Sequence, residues 1–232
     1  ETETTLFTAE RIKNMAFDKT RFGGVVAPIV NPCGEDDSLD RGALEANLTR
    51  LLATDVAGLY INGGTGDAAN LTQDERLETA ALLVPRLLAA GKLAIVHVGQ
   101  TNQRQAVELA RQAAALGAHA VASIPPKKPW PQIVEYYKAL AAAGAPVIVY
   151  YIPGVTGMTA GMPELRMLLD IPGVAGIKMS DWNIFLLRSV VLEYPEKVVY
   201  SGFDEMLVPG LLYGADGCIG TWANLLPDLY AK

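Results

Sequence analysis

The chain has 232 residues, half of them hydrophobic, with a net charge of −6 and two cysteines. That length holds one large domain or two small ones. No apolar run approaches the ~18 residues a membrane-spanning helix needs, no basic stripe offers a nucleic-acid footprint, and Cys33 and Cys218 lie too far apart for metal-ligand spacing.

The first stretch, Glu1–Arg21, is polar and lacks the apolar core of a secretory signal. With so few cysteines, the chain is expected in a reducing cytoplasm. We read residues 1–22 as an N-terminal extension that adds a short helix across the barrel bottom, and residues 23–232 as one domain. From there, apolar strand-like runs alternate with helical stretches. The first pair is a strand at Gly24–Val30 and a helix at Arg41–Thr54 capped by Asp40. A strand at Gly58–Asn62 and a helix at Thr72–Ala90 follow, then Leu93–Val98 with Asn102–Leu116, and Ala120–Ile124 with Gln132–Ala143. The second half gives Val147–Ile152 with Pro163–Asp170, Val174–Lys178 with Asn183–Glu193, and Val198–Ser201 with Asp204–Tyr213. A last strand, Gly217–Gly220, leads into an incomplete final helix near Asn224. Gly91, Gly117 and Gly144 supply C-terminal stops.

Strand–helix alternation repeated about eight times predicts parallel strands joined by helical crossovers, and so a closed (β/α)8 TIM barrel. An open doubly wound sheet is the alternative, but the first strand is followed by Asn31-Pro32-Cys33-Gly34 and not by a glycine-rich phosphate turn. In a barrel, the C-terminal ends of all strands meet at one mouth.

The residues expected at that mouth carry the functional argument. Lys178 closes a buried strand. It either snorkels to solvent or is desolvated there, which disfavours the ammonium and frees an amine for carbonyl attack. Gly63, Gly64, Thr65 and Gly66 form either an ordinary tight turn or a carboxylate cradle of exposed N–H groups and a hydroxyl. Tyr150 and Tyr151 either fill core or, beside a reactive lysine, relay protons. Asp204 and Glu205 either hold sugar hydroxyls or cap the helix that starts there. His97 and His119 are the only histidines, too few for a metal triad, and read as structural. Lys127 and Lys128 form either a solvated loop or a source of positive potential for an anionic substrate.

In combination, GGTGD, YYIP, GIKMS and GFDE resemble the pyruvate-dependent class I aldolase family that includes dihydrodipicolinate synthase and N-acetylneuraminate lyase. The resemblance runs from about Phe22 to the chain end. It implies that Lys178 is the Schiff-base lysine, that Tyr150 is the proton relay, and that Gly64 and Thr65 bind the pyruvate carboxylate. The chain departs from the family at Gly64, where Ser or Thr is usual, and at Tyr151, where Asn is usual and which implies a bulkier strand tip. Val155 stands where the synthases carry an arginine for a second carboxylate, which disfavours that activity.

The stretch from Gly202 is similar to the lyase version. It implies polyol contacts from Gly202, Asp204, Glu205 and Thr221, with Ser180 near a substrate hydroxyl. The expected reaction is cleavage of a 2-keto-3-deoxy sugar acid, N-acetylneuraminate among the candidates, to pyruvate and an aldehyde, with no metal or organic cofactor. Lys127 and Lys128 stand where the family has tyrosines, which motivates dehydratase or hydratase-aldolase chemistry as an alternative. A non-catalytic keto-acid-binding barrel is a third reading, and synthase-like condensation a fourth. The family also implies a homotetramer and further C-terminal helices, so the natural protein is expected to continue beyond Lys232.

Overall fold

The computed structural model describes residues 17–232. Eight parallel strands close on themselves in chain order. They are β1 (Gly24–Pro28), β2 (Gly58–Ile61), β3 (Leu93–His97), β4 (Ala120–Ser123), β5 (Val147–Tyr151), β6 (Val174–Met179), β7 (Val198–Ser201) and β8 (Gly217–Cys218). The expected barrel is the observed one. The main crossover helices are α1 (Arg41–Leu52), α2 (Gln73–Ala89), α3 (Gln103–Ala115) and α4 (Trp130–Ala141). The rest are a single turn α5 (Pro153–Thr156), then α6 (Met162–Leu169), α7 (Ile184–Glu193), α8 (Leu207–Leu212) and α9 (Pro227–Tyr230).

Strand alternation sorts the apolar residues into two layers. Outward positions such as Leu59, Ile61, Val147, Val149, Ile177 and Met179 pack under the helices. Inward positions such as Val26, Tyr60, Ile95, Ala122, Ile148 and Tyr200 fill the barrel itself. Phe22, at the end of a 3-10 turn over Lys19–Phe22, closes the bottom, and its carbonyl accepts the Tyr200 hydroxyl at 2.5 Å. Of the proposed N-terminal extension, residues 17–22 are described; residues 1–16 lie outside the described residues.

Helix starts follow their side chains. Asp40 accepts from the Ala43 N–H, and Thr72 with Glu75 forms a reciprocal capping box. Gly91, Gly117 and Gly144 all take positive φ just past helix ends, as expected of left-handed stops. Six strands, β1 to β5 and β8, end one or two residues before the expected limits, and β7 ends at Ser201 as expected. β6 runs one residue longer, through Met179.

Two expectations are corrected. The helix expected over 204–213 is a 3-10 turn at Asp204–Met206 followed by the short α8, whose Pro209 has no N–H to donate back to the Glu205 carbonyl and so cannot extend the helix through that turn. The final helix expected from Asn224 is a 3-10 turn at Thr221–Asn224 and the one-turn α9, which opens on Pro227. Between β5 and β6 the register slips: Val147 pairs with Val174, but Ile148 pairs with Gly176. No helix among the described residues is long and apolar enough to cross a membrane.

Candidate active site

Lys178 points into the barrel from β6 and is 5% exposed. Its Nζ lies 4.0 Å from the ring centroid of Tyr150 and 4.9 Å from that of Tyr60. The two aromatic faces favour the ammonium. Burial acts the other way and is the stronger influence, so the pKa falls below the ordinary lysine value. Among the described residues no salt bridge holds the ammonium. A lysine in this state exchanges its proton readily and exposes a nucleophilic amine.

Tyr150 is buried beside it on β5. Its hydroxyl accepts from the Ser180 Oγ at 3.3 Å, and the Ser180 N–H is fixed on the Tyr151 carbonyl at 2.9 Å. The sequence thus brings Lys178, Tyr150 and Ser180 together, as anticipated. Tyr151 does not join them. It faces outward into the sheet–helix layer, where its hydroxyl accepts from the Ala160 N–H at 3.0 Å. The expected bulky strand tip is therefore absent from the mouth, because neighbouring residues on a strand point to opposite faces.

The turn after β2 is built on close approaches. A side chain at Gly63 would strike the Tyr60 ring, and one at Gly66 the Ile29 carbonyl. Asn62 takes φ 58° and donates to the Arg76 carbonyl at 2.9 Å. The turn folds on Gly66-to-Gly63 and Asp67-to-Gly64 hydrogen bonds, which leave the Gly64 and Thr65 N–H groups without a partner among the described residues. Free amides of that kind suit an anion. The Thr65 and Thr221 hydroxyls meet at 2.9 Å, joining the ends of β2 and β8. Space beside Gly64 is open.

Asp204 caps a turn, though not the one that begins at its own position. Its carboxylate accepts from the Thr221 N–H at 2.9 Å and the Trp222 N–H at 3.3 Å, at the start of the turn after β8. Glu205 is exposed and makes no hydrogen bond among the described residues. Gly202 sits where any side chain would run into the Ser180 Oγ and the Lys178 Cε, so glycine there keeps the lysine's path open.

A cavity of about 590 Å³ opens between the ends of β2, β3, β4 and β5. His97 borders it, with Nε2 accepting from the Ile124 N–H at 3.2 Å. Burial, with the nearby charges of Arg76 and Lys178, pushes this imidazole down to about 3, so it stays neutral and structural as expected. Among the described residues no group of three or more His, Cys, Asp or Glu could hold a metal ion.

Two residues of this region escaped the sequence reading. Tyr60 lies under Lys178; its signal is an inward strand position three residues before Gly63. Arg76 is 2% exposed, on the apolar stripe of α2 with Thr79, Ala80 and Leu83. A charged residue on a buried stripe is the signal that marks it.

The model of the dihydrodipicolinate synthetase family matches residues 21–232. The N-acetylneuraminate lyase of Rhizobium meliloti (strain 1021) is 35% identical over 213 residues, covering 89% of this chain and 70% of that protein. The N-acetylneuraminate lyase of Escherichia coli (strain SMS-3-5 / SECEC) is 29% identical, with 89% of this chain and 71% of that protein covered. Among solved structures, CdNal from Clostridium difficile, in complex with mannosamine, superposes with a TM-score of 0.86 at 25% identity, covering 90% of this chain and 73% of that one. YagE from E. coli K12, a prophage protein of the dihydrodipicolinic acid synthase family in complex with pyruvate, gives 0.85 at 26% identity with the same coverage.

Proposed function

The chain belongs to the dihydrodipicolinate synthetase family, and we propose that it is a Schiff-base lyase that cleaves a 2-keto-3-deoxy acid to pyruvate and an aldehyde. The observation that carries this reading is the desolvated Lys178 packed on Tyr150, beside unoccupied amides at Gly64 and Thr65. The names of the relatives make N-acetylneuraminate the first substrate to assay.

In this reading the Gly64 and Thr65 amides hold the substrate carboxylate. The neutral Lys178 amine adds to the keto carbon, and loss of water gives an iminium that draws electrons from the adjacent C–C bond. Tyr150 gives its phenol proton to the hydroxide that leaves as water, and the resulting tyrosinate then accepts the proton of the hydroxyl on the carbon that departs as the aldehyde. Ser180, donating to the same phenol oxygen, steadies the tyrosinate that develops. The remaining enamine takes a proton at carbon, and water releases pyruvate and the free lysine. The covalent chemistry comes from the lysine itself. Val155, at 59% exposure, offers no cation to a second carboxylate, which argues against synthase-like condensation.

Borohydride reduction in the presence of pyruvate, followed by peptide mass spectrometry, tests the reading. A pyruvyl adduct on Lys178 is expected. Folded protein with no adduct there would sink it.

A further inference from the structure

We infer that Tyr60 is a positioning residue for Lys178: its ring face holds the charged amine, and its ring edge ties that amine to the turn that begins at Gly63. This rests on the Schiff-base reading above and deepens it. Tyr60 points inward from β2 and is wholly buried. Its hydroxyl makes no hydrogen bond among the described residues, so what the side chain contributes is its ring.

The Lys178 Nζ lies 4.9 Å from the Tyr60 ring centroid and 4.0 Å from that of Tyr150. The two rings meet edge to face, at 87° and 6.4 Å between centroids. No salt bridge reaches the amine among the described residues, so the ring faces are what favour its charged form at close range. Tyr150 exchanges its proton during the reaction. Tyr60 does not, and it remains a fixed platform throughout.

The platform cannot tilt freely. A Cβ at Gly63 would stand 2.7 Å from both Cδ1 and Cε1 of Tyr60, and His97 flanks the ring at 6.0 Å. The start of the turn that carries the Gly64 and Thr65 amides is thereby seated on the ring that carries the amine. That contact sets the spacing between the nucleophile and a carboxylate held by the turn, which is how orientation lowers a barrier.

Other groups act on Lys178 from β3, β7 and β8, and none of them is altered by a change at position 60. His97 stays neutral, with its pKa at about 3. Burial pushes the Cys218 thiol up to about 12. The Asp204 carboxylate is engaged by the Thr221 and Trp222 amides.

The test measures cyanoborohydride trapping of pyruvate against pH in Tyr60→Phe and in chains carrying singly and triply fluorinated phenylalanine at position 60. Fluorine keeps the shape of the ring and drains negative charge from its face, a change to which packing alone is indifferent. Weakening the face disfavours the ammonium, so the midpoint moves to lower pH. It is expected to stay in place in Tyr60→Phe and to fall stepwise with fluorination, by about half a unit to one unit in the triply fluorinated chain. A midpoint that ignores fluorination overturns the inference. A shift already complete in Tyr60→Phe assigns the effect to the hydroxyl and overturns it too.

Failure of the lyase reading shows separately, as the absence of a pyruvyl adduct in the unaltered chain. In that event Lys178, labelled by reductive methylation with carbon-13, is titrated by NMR in the same series. The same stepwise fall sustains the inference, and a constant midpoint ends it.

Discussion

Tyr150 and Lys178 are register partners on neighbouring parallel strands, so their side chains leave the sheet side by side and into the same interior. That pairing explains why the ammonium lies over the phenol ring and not beyond it. It also fixes the distance a proton travels between the amine, the substrate and the phenol oxygen.

Replacing Tyr150 by Phe keeps the ring under Lys178 and removes only the hydroxyl. We expect kcat to fall by about 10²–10⁴-fold, the range for loss of a general acid–base group, while pyruvate trapping on Lys178 persists. Steady-state kinetics beside the trapping assay check this. A rise in KM with kcat intact would contradict the relay role.

The amine is needed neutral, so the rate of adduct formation with pyruvate should climb with pH through the lysine's own titration. Desolvation lowers that titration below the 10.5 of an ordinary lysine. Measuring the rate of cyanoborohydride trapping against pH locates it. A midpoint at or above the ordinary value would show that the aromatic faces outweigh burial.

His97 makes stability depend on acid. Its imidazole titrates near 3 in the folded protein against 6.5 ordinarily, so between those values the unfolded chain binds a proton that the folded one refuses. The stability is full above the upper value and is lost as pH falls toward the lower. His97→Gln, whose amide oxygen can still accept from Ile124, should show a smaller drop in Tm between about pH 7 and about pH 4.5. An identical drop in both proteins would assign the acid sensitivity elsewhere.

The two mouth glycines should respond in opposite ways. Gly64 has open space beside it, so Gly64→Ser should fold normally and bind pyruvate severalfold tighter, in line with one added hydrogen bond of about 1 kcal/mol. Gly202→Ala should abolish trapping, since its methyl would collide with Ser180 and crowd the lysine chain. Pyruvate titration and mass spectrometry read the pair. Normal trapping by the alanine variant would show that this crowding is relieved elsewhere.

The barrel and the Lys178–Tyr150–Ser180 cluster were legible because both follow from local pattern: short apolar runs at regular spacing, and polar residues at their C-terminal ends. What stayed hidden depends on long-range geometry. The capping partner of Asp204 is the turn at Thr221, seventeen positions away, and no spacing rule links them. The outward turn of Tyr151 is set by strand parity, which the motif YYIP does not declare. Arg76 lies buried because the carbonyls of His97 at the end of β3 and Gly99 just beyond it draw its guanidinium inward, a contact no local pattern declares.

The slipped register at the start of β6 has a bearing on inheritance. Val174 faces the helices and Gly176 lies at an inward position, so Ala175 is a single extra residue taken up in a bulge, after which the alternation resumes. Were Ala175 paired regularly with Ile148, Ile177, not Lys178, would stand opposite Tyr150, and the amine would be delivered to the oily layer outside the barrel. A lineage can therefore drop this alanine and keep the chemistry, because Val174 followed directly by Gly176 still sets Lys178 opposite Tyr150.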